Sequence, residues 1–528
     1  MSSCAKAHGY ALRGTLSPKT SSRACPMVSV RAPTCAQSSL AESLCEAKHN
    51  EKSPLRKRHR RARQSSEQTG LDNSRSCLSR TATLCCMMLR ISVVGTGYVG
   101  LSTAVCFASR GYGVLTSTRN TDNLRMINAK QAPFYEPMLT KLLMQSVESG
   151  NLHAVHSREQ AVVDTDVTFV TVGTPERSDG SINLDYVAAA SSDIGKALGR
   201  KEGYHLIVIK STVIPGTTDH VIKPILEETS GKATGDDFGL CMNPEFLKQG
   251  SAIQDTLHPD RVIIGEHDNR SGNVLYKLFS DFYGCTVPIL RMSLSSAEMV
   301  KYASNAFLAT KVSFANEIAN ICEKLRGVDV TEVMAGVGLD HRINPRFLNA
   351  GAGFGGSCFP KDLKALASFA QSINYRAPLL RSTLEINAGQ AQHVADLAIA
   401  ELQKVNGRRV SLLGLSFKPE TDDLREAPAL KIARALLRNG ATVAAYDPVV
   451  KAVPFPGYEG LLCTDSIQEC LKNSHCCILV TEWEQFKSLT PDDFINNMAS
   501  PVLIDARRIF DAKKFAAWLR FIGIGLSL

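Results

Sequence analysis

No apolar run in this 528-residue chain approaches the roughly 20 residues that a bilayer-spanning helix needs, so no transmembrane segment is expected. The chain has no CxxC pair. Its 16 cysteines divide as seven before Leu89 and nine after it, the latter scattered, which argues against a zinc site or a disulfide framework. Mostly free thiols in a reducing, cytoplasmic compartment fit better. The body also lacks net charge. The whole chain carries +9, but residues 1–90 hold 16 Lys and Arg against 5 Asp and Glu, which leaves about −2 on the rest. The folded body is thus no general polyanion binder, and neither nucleic acid nor membrane is expected as its partner. A chain of this length exceeds one hydrophobic core, so two or three domains are expected. Apolar and charged fractions of 44% and 21% are those of an ordinary soluble protein.

The first 87 residues are poor in acids, without hydrophobic periodicity, and rich in Ser, Arg and Ala, the composition of a disordered extension. Arg56-Lys57-Arg58-His59-Arg60-Arg61-Ala62-Arg63 reads as a nuclear or nucleic-acid signal. The Ser/Arg bias also suits an organelle transit peptide, and a third reading starts translation at Met87 or Met88, immediately before the first strand. The chemistry of the body is untouched by the choice.

From Leu89 short β-branched runs alternate with amphipathic helices. Ile91–Val94, Val167–Val172 and Leu206–Ile209 read as strands of a doubly wound parallel sheet. Ser295–Leu325 is one long helical stretch broken by neither Gly nor Pro. After Gly407 the alternation restarts, with strands expected at Arg409–Leu413, Thr442–Tyr446, Cys476–Val480 and Val502–Ile504. The architecture predicted is α/β: two Rossmann-like domains over 88–292 and 399–528, joined by a helical segment over 293–398.

Gly95-Thr96-Gly97-Tyr98-Val99-Gly100 closes the first strand and opens a helix. The first glycine permits the tight turn, the second lets a pyrophosphate approach the backbone, and the third allows close helix–strand packing. The helix N-terminus then offers free N–H groups to phosphate. A carboxylate at the end of the second strand would bind the ribose 2′-OH of NAD, yet Gly113-Val114-Leu115-Thr116-Ser117-Thr118-Arg119 has none. Two readings stand side by side: Thr118 and Arg119 accept the 2′-phosphate of NADP, or Arg119 is solvated and NAD binds without that contact.

Gly351-Ala352-Gly353-Phe354-Gly355-Gly356-Ser357-Cys358-Phe359-Pro360-Lys361-Asp362 carries the most chemistry. Its glycines let the backbone lie against a ligand, and Pro360 suits a first helical turn, which places Cys358 at a helix N-terminus. The helix dipole and a nearby lysine are expected to lower the thiol pKa and favour the nucleophilic thiolate. Lys301 and Asn305, four apart, share a helix face among the apolar Met299, Val300, Phe307 and Leu308. The bland alternatives are a solvated lysine there and, at Glu245 in Asn243-Pro244-Glu245-Phe246-Leu247, a surface loop acid.

Taken together, these segments resemble the UDP-glucose/GDP-mannose dehydrogenase family over about Leu89 to Gly525. The matching motifs are GTGYVG, VGTP at 172–175, KSTVIPGT at 210–217, NPEFL at 243–247, HPDRVIIG at 258–265 and KYASNAFLATK at 301–311. They continue with RFLNAGAGFGGSCFPKD at 346–362, FKPETDDLREAP at 417–428 and DARRIF at 505–510. The resemblance is greatest to the members acting on UDP-glucose. It implies four-electron oxidation of that sugar to UDP-glucuronate, with NAD as the safer cofactor.

By that resemblance Cys358 is the nucleophile, Lys301 and Asn305 stabilise the oxyanion, Glu245 activates water, and Thr212 and Asp362 order the pocket. Cofactor contacts are implied at Gly95, Gly97, Tyr98, Val99, Gly100, Thr118, Arg119, Thr174, Ser211, Thr212, Gln249, Lys361 and Arg425. Substrate contacts are implied at Phe246, Leu247, Phe347, Leu348, Asn349, Gly353, Lys418 and Arg507, besides Glu245, Lys301 and Asn305. Arg342 is expected to reach the partner subunit's nucleotide in a homodimer formed through the long helix. Two positions depart from the family pattern: Thr118 replaces a common Asp, and Gln249 replaces a common Glu. No metal is implied.

Other readings are a related dehydrogenase for GDP-mannose or UDP-N-acetylhexosamines, a non-catalytic binding protein, and a two-electron β-hydroxyacid dehydrogenase. The intact set Cys358, Lys301 and Asn305 argues against a binding protein. The glycine-rich cysteine loop and the C-terminal α/β region are surplus to two-electron chemistry.

Overall fold

A computed structural model describes residues Met88–Ser527. The expected extension over 1–87, with its basic run and three readings, lies outside them. The first sheet has eight strands: β1 Ile91–Val94, β2 Val114–Ser117, β3 Leu152–Val155, β4 Val167–Val170, β5 His205–Ile209, β6 Phe238–Met242, β7 Val262–Glu266 and β8 Ile289–Ser293. Their order is β3-β2-β1-β4-β5-β6-β7-β8. β1 and β4 are buried along their whole length, as befits strands covered on both faces. Alternation divides such a strand between two cores. Leu206 and Val208 pack on one face with Val93 and Phe169, while Ile207 and Ile209 pack on the other with Val94 and Val170. Cutting one of these buried side chains back to Ala would cost roughly 2–5 kcal/mol.

The second sheet has six strands: β9 Arg409–Leu413, β10 Thr442–Tyr446, β11 Leu461–Cys463, β12 Cys476–Leu479, β13 Val502–Asp505 and β14 Arg520–Gly523, in the order β11-β10-β9-β12-β13-β14. It is parallel throughout. The first sheet is the expected parallel one with a single exception, β7, which runs antiparallel to β6. Strand order reverses between β1 and β4 and again between β9 and β12, and the crevices outside the strand C-termini at such points are where ligands bind in these sheets.

Between the sheets runs the helix Leu294–Cys322, 29 residues and roughly 44 Å long at 1.5 Å per residue. It begins one residue before the expected start and ends three before the expected end. Pro378–Leu402 and Phe359–Ser372 pack along it; the first of these crosses residue 398, where a domain boundary was expected. β4 and β12 stop short of the expected Val172 and Val480. Among the described residues no helix is long and apolar enough to cross a membrane, and the nine cysteines are free thiols.

Candidate active site

The turn after β1 is built by its glycines. Gly95 has φ +117°, and a Cβ on Gly100 would stand 2.1 Å from the Gly95 carbonyl oxygen. A Cβ on Gly97 would meet nothing within 4 Å, so the backbone there faces open space that a pyrophosphate can fill. Gly97 leads into the helix Tyr98–Ser109 without any side-chain cap, which leaves the first-turn N–H groups to a ligand. These residues fit a dinucleotide. Beside the turn, Thr174 Oγ1 donates to the Thr212 carbonyl at 2.9 Å and Ser211 Oγ to the Val172 carbonyl at 2.7 Å, lacing the loops after β4 and β5 together.

Cys358 is the N-cap of Phe359–Ser372, with Pro360 in the first turn. Its thiol retains accessible surface although protein crowds around it. Three charged side chains act on it, and a fourth, Asn305, is bound to one of them; they come from three parts of the chain. The central helix supplies Lys301 and Asn305, which are 3% and 7% exposed, so neither is a solvated side chain. The segment after β6 supplies Glu245, buried rather than on a surface loop. The cysteine's own helix supplies Asp362. Lys301 Nζ donates to Glu245 Oε1 at 2.9 Å, and Asn305 Nδ2 donates to Asp362 Oδ2 at 2.7 Å.

The electrostatics correct one expectation. Burial pushes the Cys358 thiol above its ordinary value and Glu245 adds to the effect; Lys301 opposes them, while Asp362 pushes the same way as Glu245. The lysine next in sequence does not help, because Lys361 Nζ is bound to Asp362 Oδ1 at 2.6 Å. The resting thiol is therefore protonated. Burial would raise Glu245 as well, but Lys301, the Leu247 N–H and Lys210 outweigh it and hold the carboxylate below its usual range. Burial works against the Lys301 ammonium too, and Glu245, Cys358 and Asp362 overcome it. A protonated thiol, a charged ammonium and an ionised carboxylate thus share one pocket.

Three parts of the chain match descriptions of one family. The NAD binding domain of the UDP-glucose/GDP-mannose dehydrogenase family matches residues 89–283, its central domain 295–389 and its UDP binding domain 411–512. The chain belongs to the UDP-glucose/GDP-mannose dehydrogenase family. A UDP-glucose 6-dehydrogenase of Haloferax volcanii is 41% identical over 80% of this chain and 97% of its own. A GDP-mannose 6-dehydrogenase of Pseudomonas syringae is 38% identical over 79% of this chain and 99% of its own. The solved structure of a UDP-glucose dehydrogenase from Pyrobaculum islandicum superposes with a TM-score of 0.77 at 37% identity, covering 83% and 98% of the two chains.

In this dehydrogenase the cysteine loop is clamped from outside. A Cβ on Gly355 would stand 2.4 Å from the Glu426 carbonyl oxygen and one on Gly356 2.8 Å from the Phe417 ring. The loop therefore lies directly on the segment after β9 that carries Lys418 and Arg425. Arg425 is held in a two-pronged pair by Asp423 and Gln249 lies beside the same carboxylate, where a Glu would be repelled. Tyr98 Oη reaches Asp422 at 3.2 Å, which ties the glycine turn to this segment. Val99 is half-buried in the same first turn. Arg507 Nη2 approaches the Gly353 carbonyl at 3.5 Å. Phe347 takes a positive φ of 66° with its ring 6.3 Å from Phe359, Leu348 is buried and Asn349 exposed. Phe246 carries Arg261 over its ring at 4.1 Å and Lys301 at 5.6 Å, and Leu247 is half-buried beside it. Arg342 stands apart in character: it is exposed and paired to Asp340.

Several supporting residues had no role assigned from sequence. Glu298 accepts from the Gly216 and Thr218 N–H groups at 2.6 and 2.8 Å, pinning the KSTVIPGT loop to the central helix. Asn316 and Asn387 accept from the Gly351 and Phe354 N–H groups, each at 2.7 Å, and hold the glycine loop. Asn316 lies eleven residues, three helical turns, beyond Asn305, a spacing that puts it on the same face. Lys210 ends the apolar run of β5 and donates to Asn243 Oδ1 at 2.8 Å.

Proposed function

We propose that this protein oxidises the C6 hydroxymethyl group of UDP-glucose to a carboxylate in two steps, with NAD as the oxidant. The observation that carries the reading is the convergence of Cys358 with Lys301, Asn305, Asp362 and Glu245. Oxidising an alcohol to an aldehyde needs a base; oxidising the aldehyde further needs a nucleophile that makes the carbon tetrahedral, which the thiol supplies. The bound nicotinamide would accept one hydride from C6 in each oxidation.

In the first oxidation, water held near Lys301 and Asp362 takes the hydroxyl proton. Cys358 Sγ then bonds to the aldehyde carbon. The thiol proton leaves to the Asp362 carboxylate, which returns it to sulfur at the end, and the carbonyl π pair becomes an oxyanion that Lys301 and Asn305 stabilise. Loss of the second hydride leaves a thioester on Cys358. Glu245 takes a proton from water as it attacks, the C–S bond breaks, and the sulfur regains its proton as the acid departs. Covalent capture keeps the aldehyde bound between oxidations.

Substrate contacts at Phe246, Leu247, Phe347, Leu348, Asn349, Gly353, Lys418 and Arg507, and cofactor contacts at the glycine turn, Thr174, Ser211, Thr212, Gln249, Lys361 and Arg425, belong to the same reading. So does the division into domains at 88–292, 293–398 and 399–528. The central helix exposes Phe307, Phe314 and Ile321 at intervals of seven residues, an apolar stripe suited to a second copy of the chain. In such a homodimer Arg342, exposed in the single chain, would reach the partner's nucleotide. The free thiols among the described cysteines suit the cytoplasm.

The test is to offer UDP-glucose, GDP-mannose and UDP-N-acetylglucosamine with NAD and to count reduced cofactor formed per sugar. Two per UDP-glucose, with the other sugars slower, is the expected result. One per sugar would remove the second oxidation, and a preference for GDP-mannose would move the substrate.

A further inference from the structure

Beyond the reacting end of the cofactor cleft lies a charge cluster that the chemistry above leaves unused. Arg119, just past β2, and Arg158, just past β3, both donate to the same oxygen of Asp193: Arg119 Nη2 at 2.8 Å and Arg158 Nη1 at 2.7 Å. Arg119 is thus paired with Asp193 while its side chain stays 61% exposed. The Arg158 side chain is largely buried, and its Nε has no hydrogen-bond partner. Two guanidiniums on one carboxylate leave a net positive charge. Each arginine has five N–H donors, of which Asp193 engages one per residue, so others are left for a further anion.

The cluster stands where a dinucleotide's adenosine ribose would lie. The Gly95 N–H donates to the Ser117 carbonyl at 2.9 Å and Asn123 Nδ2 to Thr96 Oγ1 at 3.1 Å, so the end of β2 abuts the glycine turn. The Thr118 N–H donates to the Val155 carbonyl at 3.2 Å, which brings the ends of β2 and β3, and so the two arginines, side by side. The carboxylate that would hold a ribose 2′-OH and repel a 2′-phosphate is missing: Thr118 occupies the place, with its Oγ1 accepting the Asn120 N–H at 3.1 Å. The next acid along the chain, Asp122, is exposed and paired with Arg125. Burial, and then Arg119 against the support of Asp193, lowers the pKa of Arg158, as expected of two cations sharing one counter-charge.

We propose that Arg119 and Arg158 form a phosphate-binding site at the adenosine end of the cofactor cleft, so that the protein accepts the 2′-phosphorylated cofactor NADP alongside NAD. The proposal rests on the dinucleotide reading of the glycine turn. A planar fork pairs with phosphate through two parallel hydrogen bonds, and charge-assisted contacts of this kind suffice for a tenfold preference or more.

The experiment measures binding of adenosine 2′,5′-bisphosphate and of 5′-AMP to the full chain by calorimetry. The bisphosphate is expected to bind at least tenfold more tightly in the wild type. Arg119→Ala, at an exposed position, is expected to remove that advantage, so that the two nucleotides bind with similar affinity. Thr118→Asp is expected to turn the advantage into a penalty. Equal or weaker binding of the bisphosphate by the wild type, or an Arg119→Ala protein that keeps the preference, would overturn the proposal. If neither nucleotide binds, the dinucleotide reading of the glycine turn fails instead. As a second readout, wild-type kcat/KM with NADP should be measurable, and the ratio of kcat/KM with NADP to that with NAD should fall in Arg119→Ala.

Discussion

Lys301 Nζ and Glu245 Oε1 meet at 2.9 Å with both side chains withdrawn from water, and 56 residues of chain separate them. Each charge is tolerable in that pocket because the other is there: burial alone would discharge both. The pair ties the sheet that forms the glycine turn to the helix that faces the cysteine. It also leaves the ammonium with donors for an oxyanion while keeping the carboxylate ready to accept a proton.

Lys301→Ala is expected to lower kcat by about 10²–10³-fold, about 2.7–4 kcal/mol of transition-state stabilisation, with KM for the sugar little changed. Steady-state kinetics decide it: a raised KM with a normal kcat would make Lys301 a uniform binding residue. The variant also strands Glu245, so thermal stability should fall, and Lys301→Ala combined with Glu245→Gln should recover part of the loss without recovering kcat. The sign of the pH effect follows. Glu245 is lowered in the folded state, so its contribution is present above the unfolded carboxylate pKa and disappears as pH falls through the folded one. Acid unfolding of Glu245→Gln should accordingly begin from a lower stability at neutral pH and change less steeply on acidification.

The glycine turn was legible because its residues act within one short segment: a tight turn, an open approach and a close contact fall at fixed offsets between Gly95 and Gly100. The helix position of Cys358 was legible for the same reason, through Pro360. The thiol's ionisation was not, because burial by distant segments raises its pKa and Glu245, more than a hundred residues away, adds to the effect. Asp193, which holds Arg119, is 74 residues off and carries no local signal. Edge strands were similarly hidden: β8 is largely exposed, so it shows neither a continuous apolar run nor a clean alternation.

Cys358→Ser is expected to halt the reaction after one oxidation, because a serine hydroxyl is a far weaker nucleophile at neutral pH. Reduced cofactor per sugar should fall from two to one. Unchanged turnover through both oxidations would remove the cysteine from the mechanism. In the wild type, the raised thiol pKa makes alkylation of Cys358 by iodoacetamide slow at neutral pH and faster as pH rises. Lys301→Ala should slow it further and Asp362→Asn should speed it, read by mass spectrometry on the Cys358 peptide so that Cys285, also exposed, does not confuse the result.

Phe307→Asp with Phe314→Asp is expected to convert a dimer to monomer in sedimentation. Both side chains are exposed in the single chain, so the circular dichroism spectrum should be unchanged. A wild type that sediments as a monomer at micromolar concentration, or a double variant that stays dimeric, would remove the central helix as the interface.

Lys210 is the last residue whose role the geometry sharpens. It lines, with Asn243, Glu245, Phe246, His258 and Arg261, a cavity of about 180 Å³, and its ammonium is anchored by Asn243 Oδ1. Burial lowers its pKa to about 8, with Glu245 opposing that shift and Lys301 adding to it. Lys210 and Lys301 are thus two cations acting on one carboxylate. If Lys301 turns to an oxyanion, as in the proposed reaction, Lys210 would remain to keep Glu245 ionised. Lys210→Met should therefore raise the Glu245 pKa and move the acid limb of the kcat/KM profile to higher pH, whereas Lys210→Arg should leave the limb nearly in place. A purely structural lysine would behave differently, lowering the melting temperature in Lys210→Met without displacing the limb. Measuring both quantities in both variants separates the two roles, and a stationary acid limb in Lys210→Met would leave Lys301 alone responsible for the charge on Glu245.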